Sequence, residues 1–133
     1  MPDRAFLDSN ILIYALTDSD FKKKERARQL IENRHSVIST QVLLETSNVL
    51  VRKVGARPAD VAFVLRSLMT REVVSQTPAI VEETWRIADR YGFGVFDSAI
   101  LASALTARCT TLYTEDLQHD RRIETLRIVN PFR

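Results

Sequence analysis

The sequence predicts an α/β domain, a three-layer sandwich in which a parallel sheet of about five strands lies between helices. Three observations carry this. Short apolar, β-branched runs alternate along the chain with segments whose apolar residues recur at helical spacing, the pattern of a parallel sheet covered on both faces. The chain has 133 residues, 45% of them hydrophobic and 27% charged, which suits one domain with its own core, spanning residues 1–133. No internal repeat, low-complexity tract or linker divides it.

The elements follow in order. Ala5-Phe6-Leu7 is a buried strand that ends at Asp8 and passes into a helix marked by Ile11, Leu12 and Ala15. Residues 18–34 are polar, with a narrow stripe of Ala27, Leu30 and Ile31, and read as an exposed helix. Ser36 to Ser39 forms the second strand, and Val42, Leu43, Val49 and Leu50 mark the helix after it, which Gly55 ends. Pro58 opens the next helix, whose Val61, Val64, Leu65 and Leu68 share one face. Glu72 to Ser75 is a third strand. Thr77-Pro78 then caps a helix with acids early, arginines late and Gly92 just beyond it. Asp97 begins an almost wholly apolar helix, Thr110 to Thr114 is a fourth strand, and Arg127 to Val129, stopped by Asn130-Pro131, is a fifth.

The rare residues narrow the chemistry. One cysteine, Cys109, and two histidines, His35 and His119, cannot build a thiolate or imidazole zinc cage, so any metal must rest on carboxylates. Cys109 itself reads as a small buried hydrophobe. Three glycines cannot supply a phosphate-cradling loop or a dinucleotide-binding turn. A net charge of +2 neither announces nor excludes a nucleic-acid partner. Met1-Pro2-Asp3-Arg4 does not resemble a signal peptide, and the longest uncharged helical stretch, Ser98 to Ala107, is too short to span a bilayer. No membrane association and a cytoplasmic location are the expectations.

Four acids occupy equivalent places: Asp8 closes the first strand, Glu45 follows the second, Asp97 opens the apolar helix and Asp116 follows the fourth strand. In a parallel sheet these positions share one edge, where α/β folds place their ligands. Carboxylates gathered there repel one another unless they are protonated or share a divalent cation, and Mg²⁺ (or Mn²⁺) suits an open oxygen site. Each acid also has a plainer reading. Asp8 and Asp97 are good helix caps and Asp116 a good turn residue. Glu45 is harder to explain so, because it interrupts an apolar run on a helix that must pack. Asn48, three residues on, shares its face and is placed to orient it.

These residues resemble a known family. Phe6-Leu7-Asp8-Ser9-Asn10-Ile11-Leu12, Glu45 within Gln41-Val42-Leu43-Leu44-Glu45, Phe96-Asp97-Ser98-Ala99-Ile100, and Leu112-Tyr113-Thr114-Glu115-Asp116-Leu117 are similar to the ordered motifs of PIN-domain ribonucleases, especially the VapC toxins of toxin–antitoxin pairs. The resemblance covers nearly the whole chain, through Val129-Asn130-Pro131-Phe132. It implies a PIN-like five-stranded parallel sheet, a metal held by Asp8, Glu45, Asp97 and Asp116, polar helpers at Asn10 and Thr114, RNA as substrate with a 5′-phosphate on the product, a cognate antitoxin, and a homodimer. The sequence departs from the pattern at Asp120, where relatives often carry glycine; it reads as an exposed turn residue. His119 reads as a surface residue or a minor substrate contact.

On this reading Asp8, Asp97 and Asp116 hold the cation directly or through water, Glu45 ligates it or takes a proton from the attacking water, and Asn10 and Thr114 orient the acids. An RNA backbone also needs cations at the rim, and Lys22, Lys23, Lys24, Arg121 and Arg122 are the candidates, although such charges often form only a solvated face. Phe63 and Trp85 read as core residues. The alternative function is a non-catalytic interaction module, PIN-like or receiver-like. A receiver would want an aspartate after strand three and a later lysine, whereas Gln76-Thr77-Pro78 follows strand three and no lysine occurs after Lys53.

Overall fold

The computed structural model describes residues 3–133. Its elements are β1 (Ala5–Leu7), α1 (Ser9–Leu16), α2 (Phe21–Glu32), β2 (Ser36–Ser39), α3 (Thr40–Arg52), α4 (Pro58–Arg66), a 3₁₀ turn (Ser67–Thr70), β3 (Glu72–Val74), α5 (Pro78–Tyr91), α6 (Val95–Thr106), β4 (Thr111–Tyr113), β5 (Arg122–Ile123) and β6 (Leu126–Val129). The sheet order is β3-β2-β1-β4-β6-β5. Every pairing is parallel except that of β5 with β6. Met1 and Pro2, which enter the reading of the N-terminus, lie outside the described residues. No helix among the described residues is long and apolar enough to cross a membrane.

Local chemistry explains the helix starts. Asp8, Asp20, Ser39 and Thr77 each accept a backbone N–H of the first turn, and proline sits at the start of α4 and α5, where its missing N–H costs nothing. Gly92 ends α5 with φ +78°, the left-handed conformation that glycine adopts without a steric penalty. Phe6, Leu7, Ile11, Leu12, Leu112 and Ile128 are buried at the centre, joined from α6 by a run of buried residues from Ser98 to Ala104. Small residues there let the helix lie close on the sheet. Cys109 is buried as expected, and its thiol is pushed up to about 12, chiefly by burial.

The structure differs from the sequence reading in four places. The sheet has six strands, because Arg122–Ile123 folds back on Leu126 as an antiparallel hairpin. Glu124 at its tip has φ +56°, and Arg86 grips its carboxylate with contacts of 2.9 and 3.2 Å while the Tyr91 hydroxyl donates to it at 2.9 Å. These bonds hold a conformation costly for a non-glycine residue. Helix α6 begins two residues before Asp97. Phe63 and Trp85 are 78% and 58% exposed, not core. Phe63 lies two positions from both buried Val61 and buried Leu65, hence on the opposite face of α4, and Trp85 is one step round α5 from buried Thr84. Val64, placed on the buried face of α4 by its spacing, is 43% exposed for the same reason of face width.

Leu112 sits fully buried on β4 between β1 and β6. Replacing it with alanine should lower the unfolding free energy by about 2–5 kcal/mol in urea titrations; a loss under about 1 kcal/mol would mean that this layer repacks around the gap.

Candidate active site

Parallel pairing of β1 with β4 sets Leu7 opposite Tyr113, so Asp8 and Thr114 leave the sheet side by side at the C-terminal edge. The Asp8 amide donates to the Tyr113 carbonyl at 3.1 Å, which continues the ladder to the carboxylate itself. Asp8 is 5% exposed and Thr114 fully buried. One oxygen of Asp8 accepts the Ser9 amide at 2.7 Å as the cap of α1; the other accepts the Thr114 hydroxyl proton at 2.9 Å. The cap reading and the site reading of Asp8 therefore hold together, one on each oxygen.

The Thr114 oxygen, having donated its only proton to Asp8, accepts from Asn10 Nδ2 at 3.2 Å and from the Asp116 amide at 3.1 Å. Asn10 Nδ2 also donates to Asp116 Oδ2 at 3.1 Å, and its Oδ1 accepts the Glu115 amide at 3.3 Å. These partners permit one orientation of the Asn10 amide only. Asp8, Asn10, Thr114 and Asp116 thus form one connected network.

Glu45 and Asp97 face this network from α3 and α6. Glu45 lies half-buried and accepts from Gln41 Nε2 at 3.1 Å, one helical turn earlier. Gln41 takes the part expected of Asn48, which is exposed and makes no bond to Glu45. Sequence reasoning missed Gln41, although its i−4 spacing was the available signal. Asp97 stands in the first turn of α6 and is not its cap, which is Gly94.

The electrostatics agree with the geometry. Burial pushes Asp8 from 3.8 up to about 6, and the charges of Asp116 and Asp97 add to the rise. Burial also raises Glu45, helped by the Asp8 charge and opposed by the Gln41 hydrogen bond. Asp97 is raised by burial and by Asp116. Among the described residues, none of the four carboxylates forms an ion pair with a lysine or arginine. Such a group lacks a cation. Among the described residues, no three acid, histidine or cysteine side chains are grouped so as to hold a metal ion in this arrangement. The donors that the four acids offer are hard oxygens, the ligand type that Mg²⁺ takes while retaining several of its waters.

The basic residues expected at the rim divide. Lys23 is committed to Glu115 at 2.6 Å and stands 4.8 Å from the centre of the Tyr14 ring, while Lys24 pairs with Asp18. Lys22 and Arg122 are exposed, and Arg121 lies over the Phe93 ring at 4.7 Å, beside the loop that leads to Asp97. His119 Nδ1 accepts the Asn130 amide at 3.0 Å and so braces the C-terminal loop. Asp120 is exposed with φ +66° and accepts from Arg127 at 2.7 Å, so the glycine expected here from the family resemblance would fit this backbone without strain. Beside Glu45, the exposed apolar side chains of Leu44, Val81, Trp85, Val95 and Phe96 line a groove.

Comparison with known proteins places these features in a wider context. The family model described as the PIN domain matches residues 5–124. A toxin–antitoxin complex from Klebsiella pneumoniae is similar in structure, with a TM-score of 0.71, 25% identity, and coverage of 96% of this chain and 97% of that one. VapC20 of Mycobacterium tuberculosis, a toxin that cleaves the sarcin–ricin loop, gives 0.70 at 22% identity over 84% of this chain and 89% of its own. DNA-bound VapBC from Salmonella typhimurium gives 0.66 at 21% identity over 96% and 97%. Among curated proteins, none matches in sequence.

A pH dependence follows from Asp8. Its folded pKa lies above its unfolded value, so the folded state holds the proton longer and loses stability as pH rises from near 3.8 through about 6. In chelator the parent should lose up to about 3 kcal/mol of unfolding free energy between pH 4 and pH 7.5, a loss that Asp8→Asn, which has no charge to bury, should not show. Equal pH dependence of thermal melting in the two proteins would contradict this account.

Proposed function

The chain belongs to the PIN-domain family, and from that premise we propose that it is a Mg²⁺- or Mn²⁺-dependent endoribonuclease, the toxin of a VapBC-type toxin–antitoxin pair. The observation that supports this reading is the set of Asp8, Glu45, Asp97 and Asp116 towards one sheet edge with, among the described residues, no cationic side chain paired to any of them. When bound, the metal supplies Lewis-acid polarisation of a phosphoryl oxygen and a lower pKa for a water molecule.

This chain's own residues do the rest. Asp8, pinned through both oxygens, and Asp116, held by Asn10, would take the cation with Asp97, directly or through water. Thr114 keeps Asp8 ionised by donating to it, which offsets part of the cost of burial. Glu45, a carboxylate made more basic by its surroundings, is suited to remove the proton of the attacking water. Arg121, Lys22 and Arg122 would neutralise flanking phosphates, and Lys23 and Lys24 would contribute less because their charges are already paired. The substrate is RNA and the product carries a 5′-phosphate, by likeness to the family.

Several structural relatives are toxin–antitoxin complexes, which supports a cognate antitoxin as partner. A segment of it carrying an arginine would complement the unpaired acids. The exposed groove of Leu44, Val81, Trp85, Val95 and Phe96 adjoins Glu45, and a second copy of the chain covering it would form a homodimer with walls around the site. We place the protein in the cytoplasm, where its RNA substrate would lie.

Purified protein should cleave RNA with Mg²⁺ or Mn²⁺ and stop when the metal is chelated. Asp97→Asn, on an exposed first turn, should cut the rate by at least about 100-fold while leaving the melting temperature near that of the parent. Chelator-resistant cleavage, or full activity in Asp97→Asn, would refute the mechanism. Joint replacement of Lys22, Arg121 and Arg122 by alanine should weaken RNA binding and flatten its salt dependence by about 0.7 in log–log slope for each phosphate no longer neutralised. An unchanged slope would remove these residues from the rim.

A further inference from the structure

Glu45 owes its orientation to side chains outside the acidic set. Gln41 Nε2 has two protons: one goes to Glu45 Oε1 at 3.1 Å, the other to the carbonyl of Phe96, the residue before Asp97, also at 3.1 Å. A single amide therefore links the Glu45 carboxylate to the turn that carries Asp97. Rotated by half a turn, the same amide would aim its oxygen at a carboxylate and a carbonyl, a repulsive arrangement.

Gln76, in the loop between β3 and α5, prevents that rotation. Its Nε2 donates to Gln41 Oε1 at 3.1 Å and lies 3.4 Å from the hydroxyl of buried Ser103 on α6. Its own amide is oriented in turn, since Oε1 accepts the Thr40 hydroxyl at 2.7 Å and the Gln41 backbone N–H at 2.9 Å. That N–H is one of the donors left open at the start of α3. Gln76 thus has two separable contacts: its oxygen completes the cap of α3, and its nitrogen sets the direction of the Gln41 amide.

We propose that Gln76 and Gln41 form an amide relay that positions the Glu45 carboxylate relative to Asp97 for metal binding and water activation. The proposal rests on the metal-dependent nuclease reading above. Both glutamines are positioning residues, since neither touches the reacting atoms.

Three full-length variants test the relay: Gln41→Leu, Gln76→Glu and the double variant. The measurements are Mn²⁺ affinity by calorimetry without RNA, kcat and KM on a mixed-sequence fluorogenic RNA oligonucleotide, and thermal melting. Gln76→Glu keeps the acceptor for Thr40 and the α3 N–H, so it should melt like the parent. It removes the donor to Gln41, however, and favours the reversed amide. It and Gln41→Leu should each weaken Mn²⁺ binding and lower kcat roughly tenfold with KM unchanged. The double variant should fall no further than Gln41→Leu, because the two residues act in series. Parental Mn²⁺ affinity and kcat in Gln41→Leu or in Gln76→Glu, or additive losses in the double variant, would overturn the relay while leaving metal-dependent cleavage by the parent intact. A parent protein that neither binds Mn²⁺ nor cleaves RNA would overturn the functional reading and the relay with it.

Discussion

The acidic edge of this protein is organised around one proton, that of the Thr114 hydroxyl. By donating it to Asp8, Thr114 stabilises a nearly buried carboxylate and leaves its own oxygen free to receive Asn10 and the Asp116 amide. The direction of that bond dictates the rest: Asn10 can orient in one way only, and in that orientation it holds Asp116. The network is possible because β1 and β4 are paired in parallel at the middle of the sheet, which brings the ends of both strands to the same place. Parallel sheets collect ligand sites at such edges for the same geometric reason.

Much of this is legible in the sequence, for physical reasons that differ from element to element. Helices announced by a side-chain cap or an N-terminal proline, such as α5 from Thr77-Pro78 to Gly92, can be read almost to the residue. The hairpin of β5 cannot, because its tip is Glu124-Thr125 and carries no turn-forming glycine or asparagine; Arg86 supplies from α5 what the turn lacks. The four acids stand out through their common place in the strand–helix pattern; in the structure Asp8 and Asp116 share one hydrogen-bond network, and the charges of Glu45 and Asp97 act on the same region. Gln76 does not stand out that way. Its bonds to Thr40 and Gln41 join residues 36 and 35 positions apart, and no local pattern encodes them. Phe63 and Trp85 show the converse limit: periodicity locates an apolar stripe but not how much of its width a neighbour covers.

Folding and surface chemistry are partly separated in this chain. The central core is built from β1, β4, β6 and the helices around them, and it draws on none of Leu44, Trp85, Val95 or Phe96. These residues lie beside Glu45, exposed, and are free to change without unmaking the fold. The Gln41–Gln76 pair stands at the boundary between the two regions, with contacts to buried Ser103 on one side and to the Phe96 carbonyl on the other.

The arrangement of the sheet also has a temporal consequence. Asp8 is synthesised well before the hydroxyl that holds it, which comes 106 residues later, and the strand that completes the pairing of β4 comes later still. A partly synthesised chain has Asp8 and Glu45 but neither Thr114 nor Asp116, and no β4 to bring β1 into register. The acidic edge is thus not complete until β4 and the strand that pairs with it have been made. Until β4 and β6 are made, Asp8 has neither its hydroxyl partner nor the strand that fixes its place.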